Sequence, residues 1–251
     1  MVILKTIKEI EKIKKSCRLT SNTLKYISEK IKPGIKTIQI DQMAESYIIK
    51  NNGKPAFKGY GAKGNEFPAT VCISINEEIV HGIPGDRILQ EGDIVSLDVG
   101  TYLNGYYGDS AITVGVGKIS KVAESLIKVT RECLFKGIEK AINGNSIGDI
   151  GFAIQEHAEI NSFSVVRDFV GHGVGLQVHE DPQIPNYGTP NTGLRLEKGM
   201  VLAIEPMLNQ GDYRTISDDD GWTVKTADGS LSAHFEHTIA IYENKNEILT
   251  I

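Results

Sequence analysis

The stretch IVSLDVGTYLNGYYGDSAITV, residues 94–114, decides how the rest of the chain is interpreted. Apolar residues alternate on both sides of Asn104-Gly105, a pair that favours the two-residue type I′ turn of a β-hairpin. The stretch therefore predicts two antiparallel strands joined by a tight turn. Each strand also carries one acid, Asp98 or Asp109, at a position where the apolar pattern predicts the interior.

The predicted register places these two acids on one face of the hairpin. Counted outward from the turn, Gly100 lies opposite Asp109 and Asp98 lies opposite Ala111. The two acids are therefore diagonal neighbours whose backbone positions are about 7–8 Å apart. A solvated hairpin would be the simplest explanation, but the flanking residues are apolar on both faces, which is typical of a buried strand pair. Two buried carboxylates repel each other, and we therefore expect a cation between them.

A second part of the chain repeats the pattern of the hairpin. EGDIVSLD, residues 91–98, aligns with KGMVLAIE, residues 198–205, and DSAITV, residues 109–114, aligns with EHTIAI, residues 236–241. Chance is the alternative, because few residues are identical. If the match is an internal duplication, two facing hairpins bring four carboxylates to one point: Asp98, Asp109, Glu205 and Glu236.

The segment FVGHGVGLQVHEDPQIPNYG, residues 169–188, supplies a nitrogen ligand for the same point. His172 stands between two glycines, which permit close backbone approach. A glycine-rich loop can instead bind phosphate, but no Lys-Ser/Thr pair follows and the spacing is not that of a dinucleotide site. Beside four carboxylates, a single imidazole favours Mn²⁺, Fe²⁺, Co²⁺ or Zn²⁺ over Ca²⁺.

Composition excludes several classes of protein. The 251 residues are 40% hydrophobic and 24% charged, as expected of a globular protein with a substantial core. A net charge of −5 gives no general attraction to nucleic acid or to a membrane surface. Too few apolar residues precede Lys5 and Lys8 for a signal peptide or a membrane span, so we expect a cytoplasmic protein. Three scattered cysteines predict reduced thiols.

Helical patterns precede the hairpin. Apolar residues at steps of three and four predict two amphipathic helices between residues 3 and 31 and another between Pro33-Gly34 and Gly53. Glycines and prolines predict a long loop over residues 54–70. Strand character resumes in TVCISI, residues 70–75.

Further motifs follow one another along the chain. They are KPG (32–34), VCISINEEIVHGIP (71–84), GDIVSLDVG (92–100), GYYGDSA (105–111), GHGVG (171–175), HEDPQIPNYG (179–188), LEKGMVLAIEPM (196–207) and DGWTVKTADGSLSAHFEHTIAI (220–241). With these motifs, nearly the whole sequence resembles the type I methionine aminopeptidases, which are metal-dependent exopeptidases of the pita-bread fold. The resemblance implies one α/β (α+β) domain over residues 1–251, with a curved, mostly antiparallel sheet covered by helices. Its halves, about 1–118 and 119–251, would be related by a pseudo-twofold axis.

The resemblance also implies the residues of a metal site and their roles. Two divalent ions (Co, Mn, Fe or Zn) would be held by Asp98, Asp109, His172, Glu205 and Glu236. Such a pair of ions activates water and stabilises the oxyanion that forms from the scissile carbonyl. Glu205 would also carry the proton from water to the leaving amine, His179 would contact the substrate carbonyl, and His81 would contact the backbone at the scissile amide.

A methionine pocket and a second cation are implied in the same way. The pocket maps onto Tyr60, Phe67, Cys72, Val178 and Trp222, with His81 and His179 also facing the substrate. Sulfur packs well against aromatic rings, although plain core packing would explain each of these residues too. A monovalent cation, Na⁺ or K⁺, would lie near Asn76, Glu78 and Ser232.

The resulting hypothesis is an enzyme that removes the initiator methionine from nascent chains when the second residue is small. An Xaa-Pro aminopeptidase or prolidase is the alternative among enzymes, and a non-catalytic pita-bread binding protein is the alternative outside them. A monomer in transient contact with the ribosome is expected.

His234 lies two residues before Glu236 and shares its strand face, so it could tune the site. His157 and His237 are interpreted as packing or surface residues.

Overall fold

The computed structural model describes all 251 residues. Four helices are formed: α1 (Ile7–Ser28), α2 (Thr37–Lys50), α3 (Lys121–Lys140) and α4 (Ile147–Ile160). The strands are β1 (Lys54–Pro55), β2 (Gly61–Ala62), β3 (Asn65–Glu66), β4 (Val71–Ile75), β5 (Glu78–Val80), β6 (Ile94–Leu103), β7 (Tyr106–Gly115), β8 (Ser164–Val165), β9 (Gly171–Gly173), β10 (Glu180–Ile184), β11 (Val201–Ile204), β12 (Met207–Asn209), β13 (Thr215–Ser217), β14 (Val224–Thr226), β15 (Ser232–His234), β16 (Glu236–Ile241) and β17 (Asn246–Ile248).

The predicted hairpin is confirmed in its register. β6 and β7 pair with Leu103 opposite Tyr106, Gly100 opposite Asp109 and Asp98 opposite Ala111. Both turn residues have positive φ, 52° at Asn104 and 91° at Gly105, as a type I′ turn requires. The two acids therefore share one face, as their spacing predicts.

The first part of the chain corrects one prediction. Residues 7–28 form the single helix α1 rather than two helices. The polar residues at its centre belong to the face that α1 buries against the hairpin. Ser16 Oγ donates to the Thr101 carbonyl at 2.9 Å, and Thr20 Oγ1 donates to the Gly108 carbonyl at 3.1 Å. The predicted loop over 54–70 also contains short strands, of which β2 and β3 pair with each other.

A nine-stranded sheet organises the molecule. Its strand order is β1-β6-β7-β16-β11-β9-β10, with β4 also paired to β6 and β17 to β16. All of the pairings within it are antiparallel. The first-half and second-half hairpins meet where β7 pairs with β16 and Ala111 lies opposite Glu236. Asp98, Ala111 and Glu236 therefore lie side by side across the three neighbouring strands β6, β7 and β16.

Two apolar clusters hold the helices on the sheet. In the first half, Val95, Leu97 and Val99 of β6 pack with buried residues of α1 and α2. In the second half, Ile239 and Ile241 of β16 pack with residues of α3 and α4. Because side chains alternate along a strand, these contacts turn Asp98 and Glu236 toward the opposite face of the sheet.

The halves also repeat their backbone hydrogen bonds. In each half, a glycine before the second helix donates to a leucine carbonyl. A glycine shortly before β6 or β11 donates to a residue at the end of, or directly after, the paired strand β7 or β16. The four bonds are Gly34 to Leu89 (2.8 Å), Gly144 to Leu196 (2.9 Å), Gly92 to Val116 (2.9 Å) and Gly199 to Ile241 (2.9 Å).

Candidate metal centre and active site

Three carboxylates from the central strands converge on one face of the sheet. Asp98 of β6, Asp109 of β7 and Glu236 of β16 each offer an oxygen atom, and these atoms lie within 4.8 Å of one another. The strand register explains the convergence. Asp98 and Glu236 flank Ala111 on the same ladder row, and Asp109 is two residues from Ala111 on the same face.

His172 and Glu205 complete the cluster. His172 Nε2 is 3.4 Å from Glu205 Oε1 and 4.0 Å from Asp109 Oδ2. His172 Nδ1 is 2.9 Å from the Gly173 carbonyl. Because a carbonyl can only accept, Nδ1 carries the ring proton and Nε2 is free to bind a cation. The five predicted ligand residues therefore lie together.

The glycines beside His172 are required by the neighbouring strands. A Cβ at Gly171 would lie 2.4 Å from the Ala203 carbonyl oxygen, and one at Gly173 would lie 2.2 Å from the Asp181 carbonyl oxygen. Glycine has no Cβ and permits this close approach. The Gly-His-Gly sequence thus lets β9 insert between β11 and β10 and present the imidazole.

The cluster contains buried oxygens that have no protein partner. Asp98 Oδ1, Asp109 Oδ1 and Glu236 Oε1 are buried without a hydrogen bond. Burial raises the pKa of Asp98 to about 7, and burial followed by repulsion from Asp98 raises that of Asp109 well above its ordinary value. Buried carboxylates of this kind need a cation.

The donor set fits divalent transition-metal ions. Burial raises the pKa of Glu205 to about 8, and burial followed by repulsion from Asp109 raises that of Glu236. Burial also lowers the pKa of His172 to about 3, so its imidazole is neutral and available as a ligand. Carboxylate oxygens and one neutral imidazole together suit such ions. The clustered ligands support the use of divalent metal at this site.

Three more histidines surround the cluster. The His179 ring centroid is 4.4 Å from that of His172, and His179 Nδ1 is hydrogen-bonded to the Tyr60 hydroxyl at 2.8 Å. His81 has a φ of 61°, and burial lowers its pKa to about 4. His234 Nε2 is buried without a hydrogen bond and lies 3.5 Å from Glu205 Oε2.

An apolar cavity of about 260 Å³ ends on the acids. Of the predicted substrate residues, those that line it are Tyr60, Phe67, Cys72, His81, His179 and Trp222. Val178 is not in the wall; it is buried behind it, in a cluster with Phe67 and Cys72.

The cavity wall also includes residues that the sequence reasoning missed. They are Phe57, Val80, Asp168, Phe169 and Val170, together with His234, which was considered only for its strand face. The Phe169 ring packs edge-on against His81, with centroids 5.6 Å apart. Its position two residues before Gly171 was the available signal, because the segment that presents His172 must also pass the cavity.

The groups proposed for a monovalent cation already have partners in the protein. The Asn76 carbonyl accepts from the Ser232 N–H at 2.8 Å, and Asn76 Oδ1 accepts from the Ile94 N–H at 3.0 Å. Glu78 accepts from the Ile75 N–H and pairs with Arg87. The monovalent site stays a prediction.

No helix is both long and apolar enough to cross a bilayer.

Comparisons with known proteins agree with this site. The sequence profile of metallopeptidase family M24 matches residues 11–243, and the chain belongs to that family. A methionine aminopeptidase from Clostridium perfringens is 54% identical over 252 residues, covering 100% of this chain and 99% of that protein.

Solved structures give the same result. The methionine aminopeptidase from Rickettsia prowazekii superposes with a TM-score of 0.97 at 43% identity, covering 100% of both chains. The prolidase from Pyrococcus furiosus gives a TM-score of 0.80 at 26% identity, covering 99% of this chain and 65% of that one. The pita-bread fold, the resemblance to methionine aminopeptidases and the class of metal-dependent aminopeptidase are thereby confirmed.

Proposed function

We propose that this protein removes the N-terminal methionine from nascent proteins and peptides by hydrolysing the first peptide bond, preferentially when the second residue is small. The observation that carries the proposal is the apolar cavity of about 260 Å³ that ends on a buried cluster of acids. Such a cavity accepts one unbranched apolar side chain and places its backbone beside the cluster. The whole-length similarity to methionine aminopeptidases supports the same substrate.

The proposal assigns two divalent ions to the cluster. Asp98, Asp109 and Glu236 would bridge or chelate them, His172 would bind one ion, and Glu205 would bind one or both. Bound ions would activate a water molecule and stabilise the developing oxyanion. Mn, Fe, Co and Zn all suit this donor set.

The remaining steps fall to protein groups. The Glu205 carboxylate lies at the end of the cavity, where it can take a proton from the attacking water and give it to the leaving amine. His179, held by Tyr60, would contact the substrate carbonyl oxygen as it gains negative charge. His81 would contact the backbone at the scissile amide.

Methionine selectivity is assigned to the aromatic part of the cavity. The edge of one ring meets the face of the other at Phe67 and Trp222, with centroids 5.3 Å apart, and Cys72 lies in the same wall. A thioether makes favourable contacts with aromatic rings and adapts to such a pocket. Val178 would influence the pocket from behind these residues.

The alternatives are weaker. Prolidase relatives match this chain at much lower identity than methionine aminopeptidases do. A non-catalytic binding protein has no use for buried acids without partners, since such groups cost folding free energy.

The proposal extends to the setting of the enzyme. We place it in the cytoplasm as a monomer in transient contact with the ribosome, because its substrates are nascent chains. A net charge of −5 disfavours a specific nucleic-acid partner or a membrane surface. The repeated hydrogen bonds support duplicated halves of one domain, about 1–118 and 119–251. A Na⁺ or K⁺ ion near Asn76, Glu78 and Ser232 also belongs to the proposal.

A peptide assay with metal-stripped protein tests the function. Met-Ala-Ser, Leu-Ala-Ser and Ala-Pro peptides are offered before and after Mn²⁺, Fe²⁺, Co²⁺ or Zn²⁺ is restored separately. We expect cleavage of the methionine peptide only, dependent on metal and lost in Asp109→Ala. Cleavage confined to Ala-Pro would favour the prolidase alternative, and inertness with every metal would favour the binding protein.

A further inference from the structure

Lys5 is an unusual lysine because almost none of its side chain reaches water. It belongs to the segment that precedes α1, in which Met1, Ile3 and Leu4 are exposed. Its Nζ forms an ion pair with Glu180 Oε2, and the two side chains are only 2% and 3% exposed. Lysine and glutamate are rarely buried unless they are paired, so each of these charges depends on the other.

The second oxygen of Glu180 is also bound. Glu180 Oε1 accepts from the Leu176 N–H at 2.6 Å and from the Gln177 N–H at 2.9 Å. Glu180 directly follows His179, and its backbone pairs with Gly173, the neighbour of His172. Its carboxylate therefore closes the loop that connects the two histidines of the active site.

The backbone of Lys5 contacts a second element of the site. Its N–H donates to the Gly199 carbonyl at 2.7 Å, two residues before β11, the strand that leads to Glu205. A Cβ at Gly175, inside the histidine loop, would lie 3.2 Å from Lys5 Cε. The N-terminal segment thus joins the His172–His179 loop to the start of β11, and no residue of the segment before α1 other than Lys5 is buried.

We propose that Lys5 is a positioning residue for the reaction, and that its ion pair with Glu180 holds the His172–His179 loop in the geometry that the active site needs. The inference rests on the proposed function. Lys5 does not line the cavity, so it acts through the loop. Without the ammonium group, the Glu180 carboxylate is buried without a counter-charge, which strongly disfavours that position. The carboxylate then moves toward water and takes the loop and His179 with it.

Four variants separate this role from simple packing. Lys5→Met removes the charge and keeps the length of the side chain, Lys5→Arg keeps the charge, and Lys5→Met/Glu180→Gln leaves a neutral pair that still accepts the loop N–H groups. Lys14→Met is the matched control, because Lys14 of α1 pairs with Glu247 at a partly exposed site away from the cavity.

Each variant is assayed with Mn²⁺-loaded protein and Met-Ala-Ser, at a temperature well below its own Tm. For Lys5→Met we expect kcat to fall by about 10- to 100-fold, since displacing a catalytic group by about 1 Å has effects of that size. Lys5→Arg and the double variant should recover most of the loss, and Lys14→Met should match the parent. Mn²⁺ stoichiometry should be unchanged, and the fluorescence of Trp222, the single tryptophan, which lines the cavity, should change in Lys5→Met and not in Lys14→Met.

Three outcomes would overturn the inference. They are parent-like kcat in Lys5→Met, a double variant as slow as Lys5→Met, and an equal loss in Lys14→Met. If Lys5→Met does not fold, the double variant Lys5→Met/Glu180→Gln becomes the test. A double variant that folds but does not recover kcat also contradicts the inference. Failure of the proposed function is distinguishable, since the parent protein itself would not cleave Met-Ala-Ser.

Discussion

Glu205 lies between two imidazole rings. His172 Nε2 is 3.4 Å from one of its oxygens, and His234 Nε2 is 3.5 Å from the other. His172 is a proposed metal ligand, whereas His234 is buried beside the other oxygen of the carboxylate and its Nε2 has no hydrogen-bond partner. Groups behind a metal ligand fix its orientation, and His234 is placed to do so for the proton-transferring residue.

We expect His234→Ala to lower kcat/KM by about 10- to 100-fold, the range typical of residues that orient metal ligands. The loss should lie in kcat, because His234 orients Glu205 rather than the methionine side chain. His237→Gln is the control. His237 faces away from the site and bonds the Thr250 hydroxyl, so its replacement should lower Tm and leave kcat/KM unchanged. Equal kinetics for parent and His234→Ala would contradict this role.

At this scale, the sequence predicted the clustering of the five proposed ligand residues better than the depth of the side chains around them. Strand alternation placed Asp98 and Asp109 on one face, and the internal repeat added Glu205 and Glu236. The glycine-flanked His172 supplied the nitrogen, and the family resemblance implied the same five residues. The position of Val178 behind the cavity wall was not predictable. A sequence resemblance identifies the equivalent position in the chain, but it does not show how deeply the side chain at that position lies. The burial of Lys5 could not be predicted from the sequence either, because its partner Glu180 is distant along the chain.

Close contact between the hairpin and α1 fixes the position of Asp109. A Cβ at Gly108 would lie 2.6 Å from the Cys17 backbone nitrogen, and main-chain atoms of a helix cannot move aside as a flexible side chain can. Thr20 Oγ1 also donates to the Gly108 carbonyl. The hairpin and the helix therefore pack as one unit, and Asp109 follows directly on the contact point.

Gly108→Ala should reduce the free energy of unfolding by about 1–3 kcal/mol, as is typical of overpacking. Gly85→Ala is the control, because a Cβ there meets nothing within 4 Å and a change within about 0.5 kcal/mol is expected. Urea unfolding of the metal-stripped proteins measures both. Equal stability of the two variants would show that the hairpin and α1 can separate without cost.

Elements were predictable where local chemistry determines them. The Asn104-Gly105 turn and the alternation around it gave the hairpin and its register. The division of residues 3–31 into two helices was wrong because Ser16, Thr20 and Thr23, which interrupt the apolar pattern, are buried in α1. Ser16 and Thr20 can be buried because the facing strands offer carbonyl acceptors, and this information is not local. Thr23 instead donates to the Leu19 carbonyl of its own helix at 2.8 Å.

The buried acids make the stability of the whole molecule depend on pH and on metal. Burial raises the pKa of Asp98 to about 7 and that of Glu205 to about 8 in the folded protein, while the unfolded chain keeps ordinary values near 4. At these two carboxyl groups, the folded protein therefore binds more protons than the unfolded chain across this interval. The contribution of these two groups to the free energy of unfolding is fully present below about pH 4 and is lost as the pH rises toward 8.

We expect Tm of the metal-stripped protein to fall between about pH 7 and pH 9, because the buried acids become charged there without a partner. Buried histidines such as His81 and His172, whose pKa burial lowers to about 4 and about 3, are largely neutral in both the folded and the unfolded state over this interval. Asp98→Asn should reduce this slope, since it removes one titrating group from the cluster. Mn²⁺ should raise Tm most at the upper end of the range, where the ligands are deprotonated. Differential scanning calorimetry at fixed ionic strength measures these changes, and a Tm that rises between pH 7 and pH 9 in the metal-stripped protein would contradict them.

On the scale of the whole molecule, the predicted fold class is confirmed by solved relatives. The aligned motifs of the two halves pointed to two hairpins that face one another, and β7 and β16 do pair between the halves. The cavity was predicted only in part, through the pocket residues that the resemblance implies. The wall residues that were not predicted, among them Phe57, Val80 and Phe169, lie in segments that carry no shared pattern, and their position depends on how the parts of the chain outside the main sheet pack.

The central claim is that Asp98, Asp109, His172, Glu205 and Glu236 meet around a pair of divalent ions. Anomalous diffraction from a crystal of the Mn²⁺-loaded protein tests it most directly, because it locates each ion without reference to activity. The account predicts two anomalous peaks among these five side chains, each within bonding distance of carboxylate oxygens and one also bound to His172 Nε2. An absence of peaks there, or Mn²⁺ bound only elsewhere, would contradict it.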